Sequence, residues 1–283
     1  MTADDLEPRA QVGSHGWLRA LAAMPPGYAA VLVLLLATAA TIALTGTNVV
    51  LFQALQRYSR VVPDPLFVPF WQSATYAGDG LAAVALSVLL LWHRPQAVWA
   101  ALVGVIPGTM LLNGLKALLA VDRPALVLMN QGVTVLGPAL HHGSFPSGHS
   151  VAAGLLAGTI VLAFRNPWVR VTAVALALVV GLSRAAVGVH WPTDIATGLA
   201  IGWLSAWIGW CIAAQAPWSA RPVMRIVAAV VIAVCGLLLF RHPMGLPEAA
   251  PFRYALAVLA IVLALAGMAR GVAEWRAARR ASS

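Results

Sequence analysis

The sequence predicts an all-α, polytopic transmembrane helical bundle of about eight spans, and three observations lead there. Of its 283 residues 61% are hydrophobic and only 10% are charged, whereas soluble domains carry roughly 25% charged residues. The apolar residues gather into long stretches, and a helix needs about 20 such residues to cross hydrocarbon. Prolines punctuate the starts of these stretches, at Pro25-Pro26, Pro95, Pro167, Pro192, Pro222 and Pro251, as suits a first helical turn.

In chain order the expected spans are 27–44, 78–92, 97–119, 147–164, 169–189, 193–214, 223–240 and 254–268. The first is longer than the apolar core of a signal peptide and lacks a strongly basic lead, so it reads as an uncleaved span. The second is short. Between them, the connection 51–72 mixes Arg57, Arg60, Asp64, prolines and aromatics, the composition of an interfacial segment rather than a crossing. The loop 122–145 is long and carries His141 and His142, and long ordered loops often carry function. GxxxG spacings at Gly104/Gly108, Gly154/Gly158 and Gly198/Gly202 suggest close helix packing. Cys211 and Cys235 sit in apolar stretches without CxxC spacing or a nearby His, and read as small core residues.

The net charge is +9, mostly from Arg in short loops and at the ends. That pattern reads as membrane topology rather than nucleic-acid binding. With a cytoplasmic N-terminus, the inside set holds Arg9, Arg19, Arg94, Arg165, Arg170, Arg221, Arg225, Arg270, Arg276, Arg279 and Arg280. Apart from the cations of the motifs below, the outside set holds Arg57, Arg60, Arg241 and Arg253. Eleven against four favours this orientation. The end of the third span, the start of the fourth and the turn between the fifth and sixth then share the outer face.

Three short strings lie at those places. Lys116 and Arg123-Pro124 are the first. Seven residues are about two helical turns, which would put both cations on one face. Pro124 is expected to end the helix and to push Arg123 toward an extended backbone. Two snorkelling interfacial cations fit the same residues. The second string is Pro146-Ser147-Gly148-His149. Ser147 is a natural N-cap, and the first amides of a helix form an anion site that Gly148 lets a phosphate approach. The plainer alternative is a Ser cap followed by an incidental His. The third string is Ser183-Arg184, His190 and Asp194. A cation as deep as Arg184 needs a partner or a polar cavity. Pro192 is expected to open the next helix with Asp194 in its first turn, either serving the helix dipole or holding one imidazole nitrogen of His190. There is no acidic cluster suited to Mg²⁺ and no Cys/His zinc pattern, so no metal or cofactor is expected.

Taken together, Lys-x6-Arg-Pro, Pro-Ser-Gly-His and Ser-Arg-x5-His-x3-Asp, in that order, resemble the type 2 phosphatidic acid phosphatase (PAP2) superfamily over residues 97–214. The resemblance implies a metal-free phosphatase working through a phosphohistidine. It implies His190 as nucleophile, Asp194 orienting it, and His149 as general acid and then base. Lys116, Arg123, Ser147, Gly148 and Arg184 would hold the phosphoryl oxygens.

The simplest family layout needs six crossings, so residues 215–270 are expected to add a pair. The division read from the sequence is a cytoplasmic segment 1–26, a membrane-embedded core 27–214, the added pair, and a basic cytoplasmic tail 271–283. The expected function is a lipid phosphatase of the bacterial inner membrane with its active site facing the periplasm or cell exterior, with a membrane lipid phosphate and the bilayer as its partners and no nucleic acid. Polyprenyl diphosphate, phosphatidylglycerol phosphate, phosphatidic acid and lipid A are the substrates the family implies. A phosphotransferase using the same intermediate, and a transporter or lipid-binding protein without turnover, are the alternatives.

Overall fold

The computed structural model describes residues 22–129 and 131–282. Residues 1–21, with Arg9 and Arg19 and most of the expected cytoplasmic segment, lie outside the described residues. Those described form helices and loops with no β-strand among them. In chain order the helices are α1 (Pro26–Thr45), α2 (Asn48–Ser59), α3 (Phe67–Ala77), α4 (Gly80–Leu86), α5 (Val88–His93), α6 (Pro95–Leu119), the single turn α7 (Pro124–Val127), α8 (Gly148–Ala163), α9 (Pro167–Ala186), α10 (Pro192–Ala214), α11 (Pro222–Leu239) and α12 (Ala250–Ser282).

All eight expected stretches are helical. Among the described residues six helical segments can cross a membrane by length and composition, and a seventh if the pair Phe67–Ala77 and Gly80–His93, bent by 79°, is one span. The eighth, α8, is apolar but only 16 residues long.

Two local expectations are corrected. The stretch 78–92 is not one helix. Asp79 caps a fresh helix start by accepting from the amides of Leu81 (2.9 Å) and Ala82 (3.3 Å), and Ser87 separates α4 from α5. Lys116 and Arg123 do not share a helix. α6 stops at Leu119 with Ala120 in the left-handed region (φ 43°), and Pro124 starts the turn α7 rather than ending α6. Arg123 itself is extended as expected (φ −82°, ψ 156°). Helix α12 continues through the basic residues 271–282.

Helix α10 is the axis of the fold, with Pro192, Asp194, Gly198, Gly202 and Trp203 among its many buried residues. Its glycines explain how close its neighbours come. A methyl at Gly202 would lie 2.1 Å from the Val151 carbonyl of α8, and one at Gly198 would lie 2.5 Å from the Ser147 carbonyl. In lipid, burying apolar surface drives little helix association, so close van der Waals contact and interhelical hydrogen bonds must do it, the latter at about 0.6–2 kcal/mol each. Two such bonds tie α1 to α10: Tyr28 Oη donates to the Trp203 carbonyl (2.7 Å), and Trp203 Nε1 donates to the Tyr28 carbonyl (3.0 Å).

The added pair α11–α12 packs on the bundle. Ile232, Leu239, Ala257 and Ala260 share one core with Val88, Leu90 and Leu91 of α5 and Val98 of α6. Arg94, Arg165 and Arg170 lie at the opposite helix ends from the three motifs. α6 runs from Arg94 to Lys116, α8 from Gly148 to Arg165, and α9 from Arg170 to Arg184.

Candidate active site

Three helix ends and one loop build the site. The N-terminus of α8 supplies Ser147, Gly148 and His149. The cap is as expected, with Ser147 Oγ accepting from the Ser150 amide (3.4 Å) and hydroxyl (3.0 Å). The Ser147 amide donates to the Asp194 carbonyl (3.1 Å), which joins the second and third motifs through the main chain. The first amides of α8 have no acceptor within the helix, so this end favours an anion.

His190 lies in the short link between α9 and α10 and is buried. Asp194, two residues into α10, turns back toward it. Its Oδ2 accepts from the Trp191 amide (2.8 Å), the Ser144 hydroxyl (2.5 Å) and His190 Nδ1 (3.2 Å). On the other side of the ring, Arg123 NH1 lies 3.3 Å from His190 Nε2. A guanidinium can only donate, so Nε2 is the acceptor and the ring proton sits on Nδ1, facing Asp194. The two neighbours thus fix one tautomer, which leaves Nε2 with its lone pair toward the cations. Burial, then the charges of Arg184 and Arg123, hold the His190 imidazole well below the ordinary 6.5, so the ring stays neutral.

Arg123 is only 8% exposed. A buried guanidinium is costly unless its donors are used, and nearly all of these are. Nε donates to the His142 carbonyl (2.9 Å), NH1 to Val189 (3.0 Å) and NH2 to Gly143 (3.3 Å). Lys116 reaches the same Gly143 carbonyl (2.5 Å). The loop 122–145 therefore brings the two cations together although they are not on one helix. Arg184 donates through NH1 to Thr75 Oγ1 of α3, and its own carbonyl accepts from the Val189 and His190 amides (3.1 and 3.3 Å). Its Nε is buried without a hydrogen-bond partner among the described residues, as are His149 Nε2 and Asp194 Oδ1.

All eight residues singled out in the sequence, Lys116, Arg123, Ser147, Gly148, His149, Arg184, His190 and Asp194, thus meet at one end of the bundle. Four others were missed. Ser144 and Gly143 precede the Pro-Ser-Gly-His string and could have been read as part of it. Thr75 lies between the connection 51–72 and the expected span 78–92 that Gly78 opens, and no local pattern marks either. The loop histidines are less involved. His142 pairs with Asp122 (2.7 Å) on the surface, and the Asp122 carbonyl accepts from Trp191 Nε1 (2.8 Å).

An apolar groove of about 380 Å³ starts at Gly148 and His149 and runs down between α4, α6 and α8, past Gly80, Val105 and Val151 to Leu156.

Residues 97–218, which hold every one of these motif residues, match the PAP2 superfamily. The chain carries a PAP2 phosphatase domain. Among curated relatives, lipid A 1-phosphatase of Rhizobium etli is 29% identical over 194 residues, covering 61% of this chain and 74% of that protein. A putative undecaprenyl-diphosphatase of Escherichia coli is 38% identical over 87 residues, 29% of this chain and 39% of that one. The crystal structure of Aquifex aeolicus LpxE superposes with a TM-score of 0.51 at 28% identity, covering 57% of this chain and 93% of that one. The chain is accordingly a multi-pass membrane phosphatase of the PAP2 type. Helices α11 and α12 lie beyond the matched PAP2 residues.

Proposed function

We propose that this protein removes phosphate from a lipid carrier at the outer face of the bacterial inner membrane, through a phosphohistidine and without a metal. One observation carries the reading: His190 is held between Asp194 and Arg123 in a single neutral tautomer, with Lys116 and Arg184 beside it. Phosphoryl transfer asks for alignment and charge stabilisation more than covalent chemistry.

In the first step His190 Nε2 attacks phosphorus. The P–N bond forms as the P–O bond to the lipid breaks, and the leaving oxygen takes a proton from His149. In the second step water attacks phosphorus and gives its proton to His149. The P–N bond breaks and orthophosphate leaves. Asp194 keeps the Nδ1 proton in place throughout. Lys116, Arg123 and Arg184 hold the equatorial oxygens with Ser147 and the Gly148 amide. The buried, unpartnered Arg184 Nε and His149 Nε2 are then a donor for one such oxygen and the acid for the leaving one.

The groove that opens at His149 supports a lipid substrate. Its walls suit an alkyl chain, and it begins where the leaving group must depart. The relatives' names support a phosphorylated lipid, with lipid A and undecaprenyl diphosphate the two chemistries they carry. The arginines at the helix ends opposite the motifs support a site facing out of the cytoplasm. A reporter fused after Ala139 is expected outside, and a cytoplasmic signal would overturn that topology.

The test is phosphate release by the purified protein over undecaprenyl diphosphate, lipid A, phosphatidylglycerol phosphate and phosphatidic acid, with His190→Ala alongside. Release that His190→Ala abolishes supports the reading, and release that survives removes His190 as nucleophile. Phosphate passed to an added acceptor, with little set free, would make the protein a phosphotransferase. A chelator is expected to leave the rate unchanged.

A further inference from the structure

The C-terminal pair places a second His–Asp couple beside the first. His242, in the loop between α11 and α12, lies with Nε2 3.3 Å from Asp79 Oδ2, and the ring is 41% exposed while the Asp79 side chain is 13% exposed. Both partners are fixed from behind. The other oxygen of Asp79, Oδ1, caps α4. Tyr76 Oη donates to the His242 carbonyl (2.7 Å) and holds the loop down. Among the described residues no partner satisfies His242 Nδ1.

The position of this couple gives it a use. Gly78, next to Asp79, presses on His149: a methyl there would come within 3.0 Å of His149 Cβ and 3.1 Å of its carbonyl oxygen. Gly78 and Gly80, on either side of Asp79, line the apolar groove together with His149. Asp79 sits between two groove-lining residues, so its partner His242 stands beside the end of the groove that holds His149, the acid assigned to the leaving oxygen. An alkyl chain in the groove and a phosphoryl group at His190 leave one part of the substrate at this end: the atoms between chain and scissile bond. In a simple phosphate ester those atoms are an alkyl carbon and one oxygen, which ask nothing of an imidazole. In a lipid diphosphate they include a second phosphoryl group. With Nε2–H turned to Asp79, the free Nδ1 hydrogen-bonds such a group, accepting from a protonated phosphoryl oxygen as neutral imidazole and donating to an anionic oxygen as imidazolium.

We propose that His242, oriented by Asp79, is a specificity-determining residue that hydrogen-bonds the phosphoryl group remaining on the leaving lipid, so that lipid diphosphates are favoured over lipid monophosphates. This rests on the lipid phosphatase reading above.

The test uses the full chain in detergent. Phosphate release is followed from a polyprenyl diphosphate, from the polyprenyl monophosphate of the same chain length and from p-nitrophenyl phosphate. Inhibition by the polyprenyl monophosphate and by orthophosphate is measured alongside. His242→Ala is expected to lower kcat/KM on the diphosphate and to weaken inhibition by polyprenyl monophosphate about tenfold, the usual scale for a lost hydrogen bond to a charged group. Inhibition by orthophosphate, which occupies only the His190 side, is expected to hold. Asp79→Asn keeps a cap for α4 but loses the carboxylate, and gives the same split should His242→Ala fail to fold. Unchanged kinetics, or equal weakening of both inhibitors, overturns the assignment. So does a wild type that cleaves the monophosphate and spares the diphosphate, although that protein is still a phosphatase. A folded wild type that releases phosphate from none of the three substrates overturns the reading beneath it.

Discussion

Arg123 NH1 and His190 Nε2 are 3.3 Å apart, so a residue of the α6–α8 connection decides which imidazole nitrogen is bare in the link between α9 and α10. The bond is long for its kind, which suits an acceptor that must be released for attack. Arg123 thus ties the loop carbonyls of His142 and Gly143 to that of Val189 in the α9–α10 link, sets the tautomer and, on the proposed mechanism, offers charge to the phosphoryl group. Only the planar fork of a guanidinium can do these at once. Arg123→Lys is therefore expected to lower kcat/KM by roughly a hundredfold despite keeping the charge, a loss on the scale of one missing transition-state donor. Steady-state phosphate release checks it. A change below about threefold would mean charge alone suffices.

Asp194→Asn should leave substrate binding nearly intact and lower kcat by roughly a thousandfold or more, because the wrong ring tautomer is then favoured. Ser144→Ala removes one of three donors to Asp194 Oδ2 and leaves the Trp191 amide in place. It is expected to cost about tenfold, as outer partners of oriented groups do. The ranking is the test: a Ser144→Ala enzyme as slow as Asp194→Asn would make the hydroxyl, not the carboxylate, the orienting group.

This pairing also shows where sequence reading stopped. The His190–Asp194 spacing, the Pro192 helix start and the Ser147 cap are local, and each could be read from a few adjacent residues. The Arg123–His190 contact joins residues 67 apart and depends on the loop 122–145, whose path no periodicity describes. Lys116 and Arg123 do come together, but not by sharing a helix face. The helix ends at Ala120, and the shared Gly143 carbonyl brings the cations together. Thr75 was invisible because an aromatic-rich stretch between two spans gives no sign that one hydroxyl meets a buried arginine. Asp79 and His242 are 163 residues apart, with nothing in either neighbourhood to connect them.

The pH dependence follows from the direction of the His190 shift. As the proposed nucleophile, His190 must be neutral to attack. Burial, Arg184 and Arg123 hold its pKa well below 6.5, so an acid limb of kcat/KM that belongs to His190 lies below pH 6.5. A limb above that value would belong to another group. The same shift bears on stability. The unfolded chain binds the proton more readily than the fold does, so stability falls as the pH drops below 6.5 toward the folded-state pKa, and is independent of this group above 6.5. His190→Asn is expected to flatten that part of a detergent melting curve taken against pH, and an unaltered curve would place the proton elsewhere.

Gly202 tests whether the helix spacing positions the site or only stabilises the fold. A methyl there would lie 2.1 Å from the Val151 carbonyl and 2.6 Å from the Leu155 amide, and backbone atoms cannot swing aside as a side chain can. Gly202→Ala is expected to push α8 from α10 and cost about 1–3 kcal/mol, the usual penalty for overpacking. α8 carries Ser147 and His149 while α10 carries Asp194, so the same displacement lengthens the Ser147 amide to Asp194 carbonyl bond (3.1 Å). The variant should therefore lose activity at temperatures where it remains folded. A lower melting temperature with full activity would confine Gly202 to stability.

The groove makes a prediction that separates lipid recognition from chemistry. Gly80 lines it, and a Cβ there meets nothing within 4 Å, so a larger side chain can enter without disturbing backbone. Gly80→Phe fills space that an alkyl chain would occupy, at a small cost in helix propensity since the position follows the Asp79 cap. On a long-chain lipid phosphate KM is expected to rise about tenfold, since losing the contact of one or two methylenes, at ≈ 0.8 kcal/mol each, already approaches that factor. On p-nitrophenyl phosphate, which has no chain, kcat/KM should change by less than about twofold, because no group near His190 has moved. Equal losses on both substrates would mean that the groove supports the site without holding the lipid, and the chain would have to lie along another helix face.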